Sequence, residues 1–320
     1  MKRILFFLST IALLFIVAAC GTNNDSEAND QTSGDTQQEE NEQIEVTHEL
    51  GTTTVPKKPE RVVVFDYGTL ETLDQLGVEI TGVPQSNLPP HLEKYGKDTY
   101  ENVGSVKEPD FEALSIIDPD LIIISGRQSN VYEELSELAP TIYMGVDTTD
   151  YLTSFQSNVK TLGEIFGLED KAKEKLDEVM TTVNEVKSII ESSEGKGLVI
   201  LTNDGGISAY GPGSRFGFIH DELGVTPADE KIEASTHGQN VSFEYIAETN
   251  PDYLFVIDRN MIVGGEASAK KTLDNDLVQG TNAAKNNNIV YLNPYYWYIS
   301  GGGLLSVEEM ANEIKEGVQK

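Results

Sequence analysis

The sequence predicts an α/β protein built as two lobes joined by one long helix, with a ligand cleft between the lobes. Three features of its 320 residues lead there: one motif that occurs twice, apolar runs that alternate with helical patterns, and a long amphipathic stripe in the middle. The length exceeds what a single core usually takes and is enough for two.

Residues 111–124 read FEALSIIDPDLIII and residues 243–256 read FEYIAETNPDYLFV. Both fit F-E-x-[LI]-x-x-x-[DN]-P-D followed by an apolar run. The F-E half forms a short helix, which Asp or Asn before proline ends. The run that follows does not alternate, which marks a parallel strand buried on both faces. A separation of 132 residues is too long for a solenoid repeat and suits two lobes of one architecture. Further strands are expected at 61–65 (RVVVF), 141–143, 197–203 (GLVILTN) and 288–293 (NIVYLN). Helices are expected over Thr69–Leu76 and over 216–224 (FGFIHDELG), the second closed by glycine. Between the lobes, Leu152, Phe155, Val159, Leu162 and Phe166 step by three or four, and Ala172, Leu176, Val179, Val183, Val186 and Ile190 resume the stepping after Gly167. This reads as one helix of roughly ten turns, kinked near Gly167, bridging the lobes as a stiff hinge.

The N-terminus is a targeting segment. Lys2 and Arg3 precede an apolar run from Ile4 to Val17, too short for a comfortable permanent anchor, and VAAC closes it at Cys20. Small residues before a cysteine resemble the lipobox of bacterial lipoproteins, in which the cysteine becomes the lipidated first residue. Cys20 is the chain's only cysteine, so an intrachain disulfide and a cysteine-based metal cluster are excluded. Residues 21–43 hold no aromatic or branched aliphatic residue and read as a flexible acidic tether. The expected division is therefore a signal peptide at 1–19, lipidated Cys20 and tether at 20–43, an N-terminal lobe at 44–150, the linking helix at 151–193 and a C-terminal lobe at 194–320.

The formal net charge is −30, which repels nucleic acid and anionic membrane surfaces. Against this background arginines stand out. Arg127 and Arg259 each lie eight residues beyond the proline of the doubled motif, just past the carboxyl end of its strand. Open α/β sheets bind ligands outside those ends. Arg215 lies in YGPGSRFG (210–217), whose glycines lack dinucleotide-fingerprint spacing and a Walker lysine and read as a tight turn carrying the arginine. The stretch NPYYWYISGGG (293–303) gathers the only tryptophan, three tyrosines and three glycines before a last helix expected to start with Ser306 as its N-cap.

These features resemble the substrate-binding lipoproteins of bacterial ABC importers for iron siderophores and cobalamin, the type joined by a single long helix. VTHELGTTTVPKKPERVVVFDYGTLETLDQLGV (46–78) resembles the family's N-terminal signature. SGRQ (125–128), YGPGSRFG, STHGQNVSFE (235–244), DRN (258–260) and PYYWY (294–298) are similar to the ferric-catecholate binders within it. The resemblance implies two Rossmann-like α/β lobes and a monomer, lipid-anchored at Cys20 on the extracytoplasmic face of the cell membrane. It implies no catalysis and no intrinsic cofactor; the ligand is an Fe(III)–siderophore complex. It puts Arg127, Arg215 and Arg259 in the cleft, where guanidinium groups suit an anionic tris-catecholate. It implies that His237 and Tyr298 complete iron coordination when a tetradentate chelate leaves positions open, since Fe(III) prefers oxygen donors and accepts imidazole. Trp297 beside Tyr298 would offer a flat wall to catechol rings, whereas Tyr295 and Tyr296 read as packing residues. Glu133, Glu134 and Glu266 lie at equivalent places after Arg127 and Arg259 and are the candidates for docking on the permease. Other cargoes remain open, namely a hydroxamate siderophore, haem or cobalamin. A secreted hydrolase is the remaining enzyme-class reading, although no G-x-S-x-G elbow, no H-E-x-x-H and no nucleophilic cysteine is present. The remaining histidines, His48, His91 and His220, are scattered and do not suggest a direct zinc or manganese site.

Overall fold

In the computed structural model, which describes residues 42–319, a hairpin of β1 (Gln43–His48) and β2 (Gly51–Pro56) opens the chain. The expected signal peptide, Cys20 and nearly all of the tether lie outside the described residues. The tether's last two residues belong to the fold: Gln43 begins β1, and the Glu42 carboxylate accepts a hydrogen bond from Lys57 Nζ at 3.1 Å.

The first lobe is a five-stranded parallel sheet in the order β5-β4-β3-β6-β7, made from β3 (Val62–Val64), β4 (Gly82–Val83), β5 (Glu101–Asn102), β6 (Leu121–Ile124) and β7 (Thr141–Tyr143). Helices α1 (Tyr67–Leu76), α2 (Phe111–Ile117) and α3 (Tyr132–Leu138) connect them. The unbroken apolar run of β3 is explained by its neighbours. Val62 and Val64 pack with Leu70 and Leu73 on one face, while Val63 and Phe65 pack with Leu114 and Leu135 on the other.

The second lobe has β8 (Lys196–Asn203), β9 (Gly206–Tyr210), β10 (Thr226–Pro227), β11 (Gln239–Val241), β12 (Tyr253–Asp258) and β13 (Ile289–Leu292). The order is β11-β9-β8-β12-β13, with β10 also on β8; β9 and β11 run antiparallel and the rest parallel. Val199, Leu201, Phe255 and Ile257 face one core with Val183, Met310 and Ile314, whereas Leu198, Ile200, Leu254 and Val256 face another with Ile246 and Val278.

The doubled motif forms the same unit twice. Asp110 caps α2 by accepting from the N–H groups of Glu112 and Ala113, and Ser242 caps the helix Phe243–Thr249 by accepting from Tyr245 N–H. Asp118 and Asn250 end these helices in the left-handed conformation, at φ 51° and 46°. The chain then enters β6 and β12, each flanked on both sides in its sheet.

Three expectations change. The linking segment is two helices, α4 (Tyr151–Phe166) and α5 (Glu169–Glu191). Gly167 takes φ 64°, and Leu168 N–H turns back to Gly163 O at 2.8 Å, so the hydrogen-bond ladder stops there. The helix expected over 216–224 is one turn, Phe218–Asp221. Ser306 is not an N-cap: the last helix spans Leu304–Val318 with Gly303 at its cap, and the Ser306 hydroxyl is taken by Glu71.

Candidate ligand-binding site

The carboxyl ends of β3, β6 and β7 in the first sheet and of β8 and β12 in the second, together with β9, open onto one cavity of about 940 Å³. Arg127, Arg215, Arg259, His237, Trp297 and Tyr298 all line it, so the structure brings together every residue that the sequence put in the cleft. Glu133, Glu134 and Glu266 do not line it and lie exposed on the surface.

Arg127 leaves a loop after β6 that Gln128 pins. The Gln128 side chain is fully buried, accepts from Ser125 N–H at 3.0 Å and donates to the Val106 carbonyl. Arg215 is carried by the turn after β9, where Gly213 takes φ 67° and Ser214 Oγ donates to Gly211 O at 2.5 Å. Arg259 follows β12 directly and donates through Nη1 to Asn203 Oδ1, at the end of the neighbouring β8, at 2.6 Å.

All three guanidinium groups meet Tyr298. Arg127 Nη2 and Arg215 Nη2 donate to its main-chain carbonyl at 2.7 and 2.6 Å, and Arg259 Nε donates to its hydroxyl at 2.8 Å. The Arg215 guanidinium also lies over the Tyr298 ring, 4.4 Å from its centre. The phenol responds to this setting. Burial alone would raise its pKa, but the hydrogen bond from Arg259 and the charges of Arg215, Arg259 and Arg127 outweigh burial, and the net shift is downward. Arg215 is shifted down by burial first and by the nearby Arg127 second. Tyr298 is thus a phenol whose ionised form is favoured by the three guanidinium groups around it.

The other aromatics divide as expected from a packing role. Tyr295 packs against the first lobe's core and Tyr296 against the core of the second. Trp297 is only 4% exposed, packs edge-on against Phe218 and donates its indole N–H to Glu313 at 2.7 Å. It touches the cavity as part of its wall, anchored in the core behind it. His237 is exposed on a loop that Tyr210 holds by donating its hydroxyl to the His237 carbonyl at 3.0 Å.

Sequence reasoning missed several wall residues. Asp66, Tyr143 and Asn203 line the cavity and stand at or just beyond the ends of β3, β7 and β8. The strand-end rule that selected Arg127 and Arg259 would have found them. Glu49, Lys107, Asp147 and Ser300 line it from loops and from the aromatic turn, and carried no such signal. Asp66 is buried, which raises its pKa, although its hydrogen bonds to Thr69 and the charge of Arg127 oppose the rise. Among the described residues, no three His, Cys, Asp or Glu side chains are grouped to hold a bare metal ion, and no helix is long and apolar enough to cross a membrane.

The family model described as periplasmic binding protein matches residues 62–296. The petrobactin-binding protein YclQ of Bacillus subtilis is 48% identical over 324 residues, covering 100% of both chains. Its crystal structure has a TM-score of 0.85 at 53% identity, over 87% of this chain and 99% of that one. The ferric-anguibactin-binding protein FatB of Vibrio anguillarum is 35% identical over 86% of this chain and 88% of its own. The periplasmic catecholate-siderophore binding protein VctP of Vibrio cholerae has a TM-score of 0.82 at 35% identity, over 86% of this chain and 100% of that one.

Proposed function

The chain belongs to the periplasmic binding protein family, and on that premise we propose that it captures a ferric catecholate siderophore and delivers it to an ABC importer for iron uptake. The observation that carries this reading is the convergence of Arg127, from the first lobe, with Arg215 and Arg259, from the second, on one residue in the cavity wall. A tris-catecholate of Fe(III) is anionic, and a chain of net charge −30 repels it everywhere else. Its relatives' names supply the ligand class: petrobactin, ferric anguibactin and a catecholate siderophore.

The protein performs no chemistry on its cargo. Each guanidinium has five N–H groups in a planar fork and spends one or two on the protein, leaving others for catecholate oxygens. His237 and Tyr298 ligate the iron directly when the chelate supplies four donors, and only stack or hydrogen-bond when it supplies six. Residues 44–150 and 194–320 act as the two gripping lobes about 151–193. Lipid on Cys20 holds the protein at the outer face of the cell membrane, and Glu133, Glu134 and Glu266 engage the permease.

Titration of the mature chain with a synthetic ferric tris-catecholate, followed by Trp297 fluorescence, tests the assignment. Deep quenching is expected, because the chelate absorbs visible light and the indole forms part of the wall. Arg215→Ala is expected to weaken binding about 10- to 100-fold, the range of a lost hydrogen bond to a charged group. Quenching by a ferric hydroxamate, haem or cobalamin with none by the catecholate would reassign the cargo.

A further inference from the structure

The segment Tyr295–Ser300 is a π-helical turn, in which Gly301 N–H reaches back five residues to the Tyr296 carbonyl at 2.9 Å. Had the helix continued, the Tyr298 carbonyl would have received an amide N–H from one of the next residues. Gly301 and Gly302 instead take φ 55° and 76°, conformations that L side chains rarely adopt, and lead the chain away. The Tyr298 oxygen is left without a main-chain donor, and two guanidinium groups fill the place, one from each lobe.

We infer that the main-chain carbonyl of Tyr298, held out by the π-turn and its glycines, is the positioning group of the arginine cluster: it fixes Arg127 and Arg215 at one point before any anion arrives. The inference rests on the reading that these arginines bind an anionic chelate, and it adds what keeps them in place.

The physical need is clear from the charges. Arg127 and Arg215 repel one another, and burial disfavours the charged form of Arg215. Free side chains in that situation would splay apart, and a ligand would have to order them at a cost in rotamer entropy. A shared acceptor at 2.7 and 2.6 Å holds both while using one N–H of each. Because it is a neutral dipole belonging to the main chain, the carbonyl does not neutralise the cluster as a carboxylate would. It also cannot swing away. The glycines that follow the aromatic stretch thereby acquire a role in recognition.

The direct test weakens that one oxygen. Incorporating the α-hydroxy analogue of isoleucine at position 299 converts the Tyr298–Ile299 amide into an ester, whose carbonyl is a poorer acceptor. An ester one position earlier, made with the α-hydroxy analogue of tyrosine at 298, is the control. The probes are a synthetic anionic ferric tris-catecholate and a neutral ferric trihydroxamate of similar size, with thermal midpoints measured in parallel. The ester at 299 is expected to weaken catecholate binding about tenfold beyond the control, and to leave the ratio of control to ester-299 affinity for the neutral chelate near one. Equal loss for both chelates, or no loss relative to the control, overturns the positioning role.

Arg127→Ala and Arg215→Ala separate the two claims. If they abolish catecholate binding while the ester has no effect, the arginine reading stands and the positioning role falls. If they leave affinity unchanged, both fall. Should the ester protein not fold, guanidinium N–H resonances of the unmodified, ligand-free protein decide. Slow rotation and slow exchange at Arg127 and Arg215 are expected, and free rotation of both overturns the inference.

Discussion

At the scale of single residues, Glu313 shows how the cavity wall is fixed from behind. Its carboxylate accepts the Trp297 indole N–H at 2.7 Å and the Asn293 N–H at 3.1 and 3.2 Å. Burial raises its pKa above the ordinary 4.5, these hydrogen bonds oppose the rise, and the charges of Glu309 and Glu316 add to it. The folded pKa therefore lies above the unfolded one. Between the two, the folded state keeps a proton that the unfolded state has lost, so stability falls as pH rises through that window. Trp297 emission in the ligand-free protein is expected to titrate with a midpoint above 4.5, and Glu313→Gln should abolish that titration and flatten the stability profile there. Arg215 gives a second expectation. Its guanidinium lies over the Tyr298 ring and donates to the Tyr298 carbonyl at once, which a lysine ammonium cannot reproduce with planar geometry. Arg215→Lys should bind a ferric catecholate with an affinity between wild type and Arg215→Ala, as read by quenching titration. Arg127 and Arg259 were legible because their offsets from a doubled motif agree and strand ends are where such sheets bind. Arg215 was legible only through family resemblance, since nothing in the spacing of a glycine turn says where its side chain goes.

At the scale of elements, the doubled motif carries most of what the sequence disclosed, and its helix endings explain why. Asp or Asn before proline was expected to end each helix, and it does so by adopting a left-handed conformation, Asp118 at φ 51° and Asn250 at φ 46°. Asp and Asn tolerate this region better than other L residues. Asp118→Ala and Asn250→Ala should each cost about 1 kcal/mol in denaturant unfolding. Asn250→Ala should cost more, because its side chain also accepts from Asn282 N–H at 2.8 Å, whereas the exposed pair of Asp118 with Arg61 contributes little. Of the lobes' strands, β3, β6, β7, β8, β12 and β13 were readable, and for a different reason: parallel strands of a covered sheet need apolar runs, whereas the two- and three-residue β4, β5, β10 and β11 and the antiparallel β9 carry no such run. The break between α4 and α5 was only half readable. Apolar stepping continues across Gly167 at helical spacing, and periodicity records which faces are buried without recording a change of direction between them.

At the scale of the whole molecule, the lobes meet in a further place besides the α4–α5 connection and the Arg127–Tyr298 contact, and no sequence signal pointed to it. Helix α1 of the first lobe lies against the chain at 301–306, three to eight residues beyond Tyr298. Gly68 approaches so closely that a Cβ there would collide with the Gly301 carbonyl oxygen and lie 3.0 Å from Gly303 N. One turn on, the buried Glu71 carboxylate accepts from Ser306 N–H at 3.0 Å and from the Ser306 hydroxyl, with His91 Nε2 at 2.6 Å. Thr72 Oγ1 accepts Leu304 N–H at 3.2 Å. These are the orphan donors at the start of the last helix, and a carboxylate is favoured there by the helix dipole as well. The seam, the Arg127–Tyr298 contact and the α4–α5 connection all tie one lobe to the other. Gly68→Ala should force α1 away from the 301–303 chain. The expected result is a lower thermal midpoint together with weaker binding of a ferric catecholate, because the displaced chain leads directly into the turn that presents Tyr298. Glu71→Gln should be milder, since a neutral acceptor still serves Ser306 while the charge is lost. Small-angle scattering should show nearly equal dimensions for free and loaded wild type and an expanded Gly68→Ala protein. An alanine at 68 that leaves midpoint, affinity and dimensions unchanged would mean that the seam does not join the lobes, and that the α4–α5 connection and the Arg127–Tyr298 contact set their geometry.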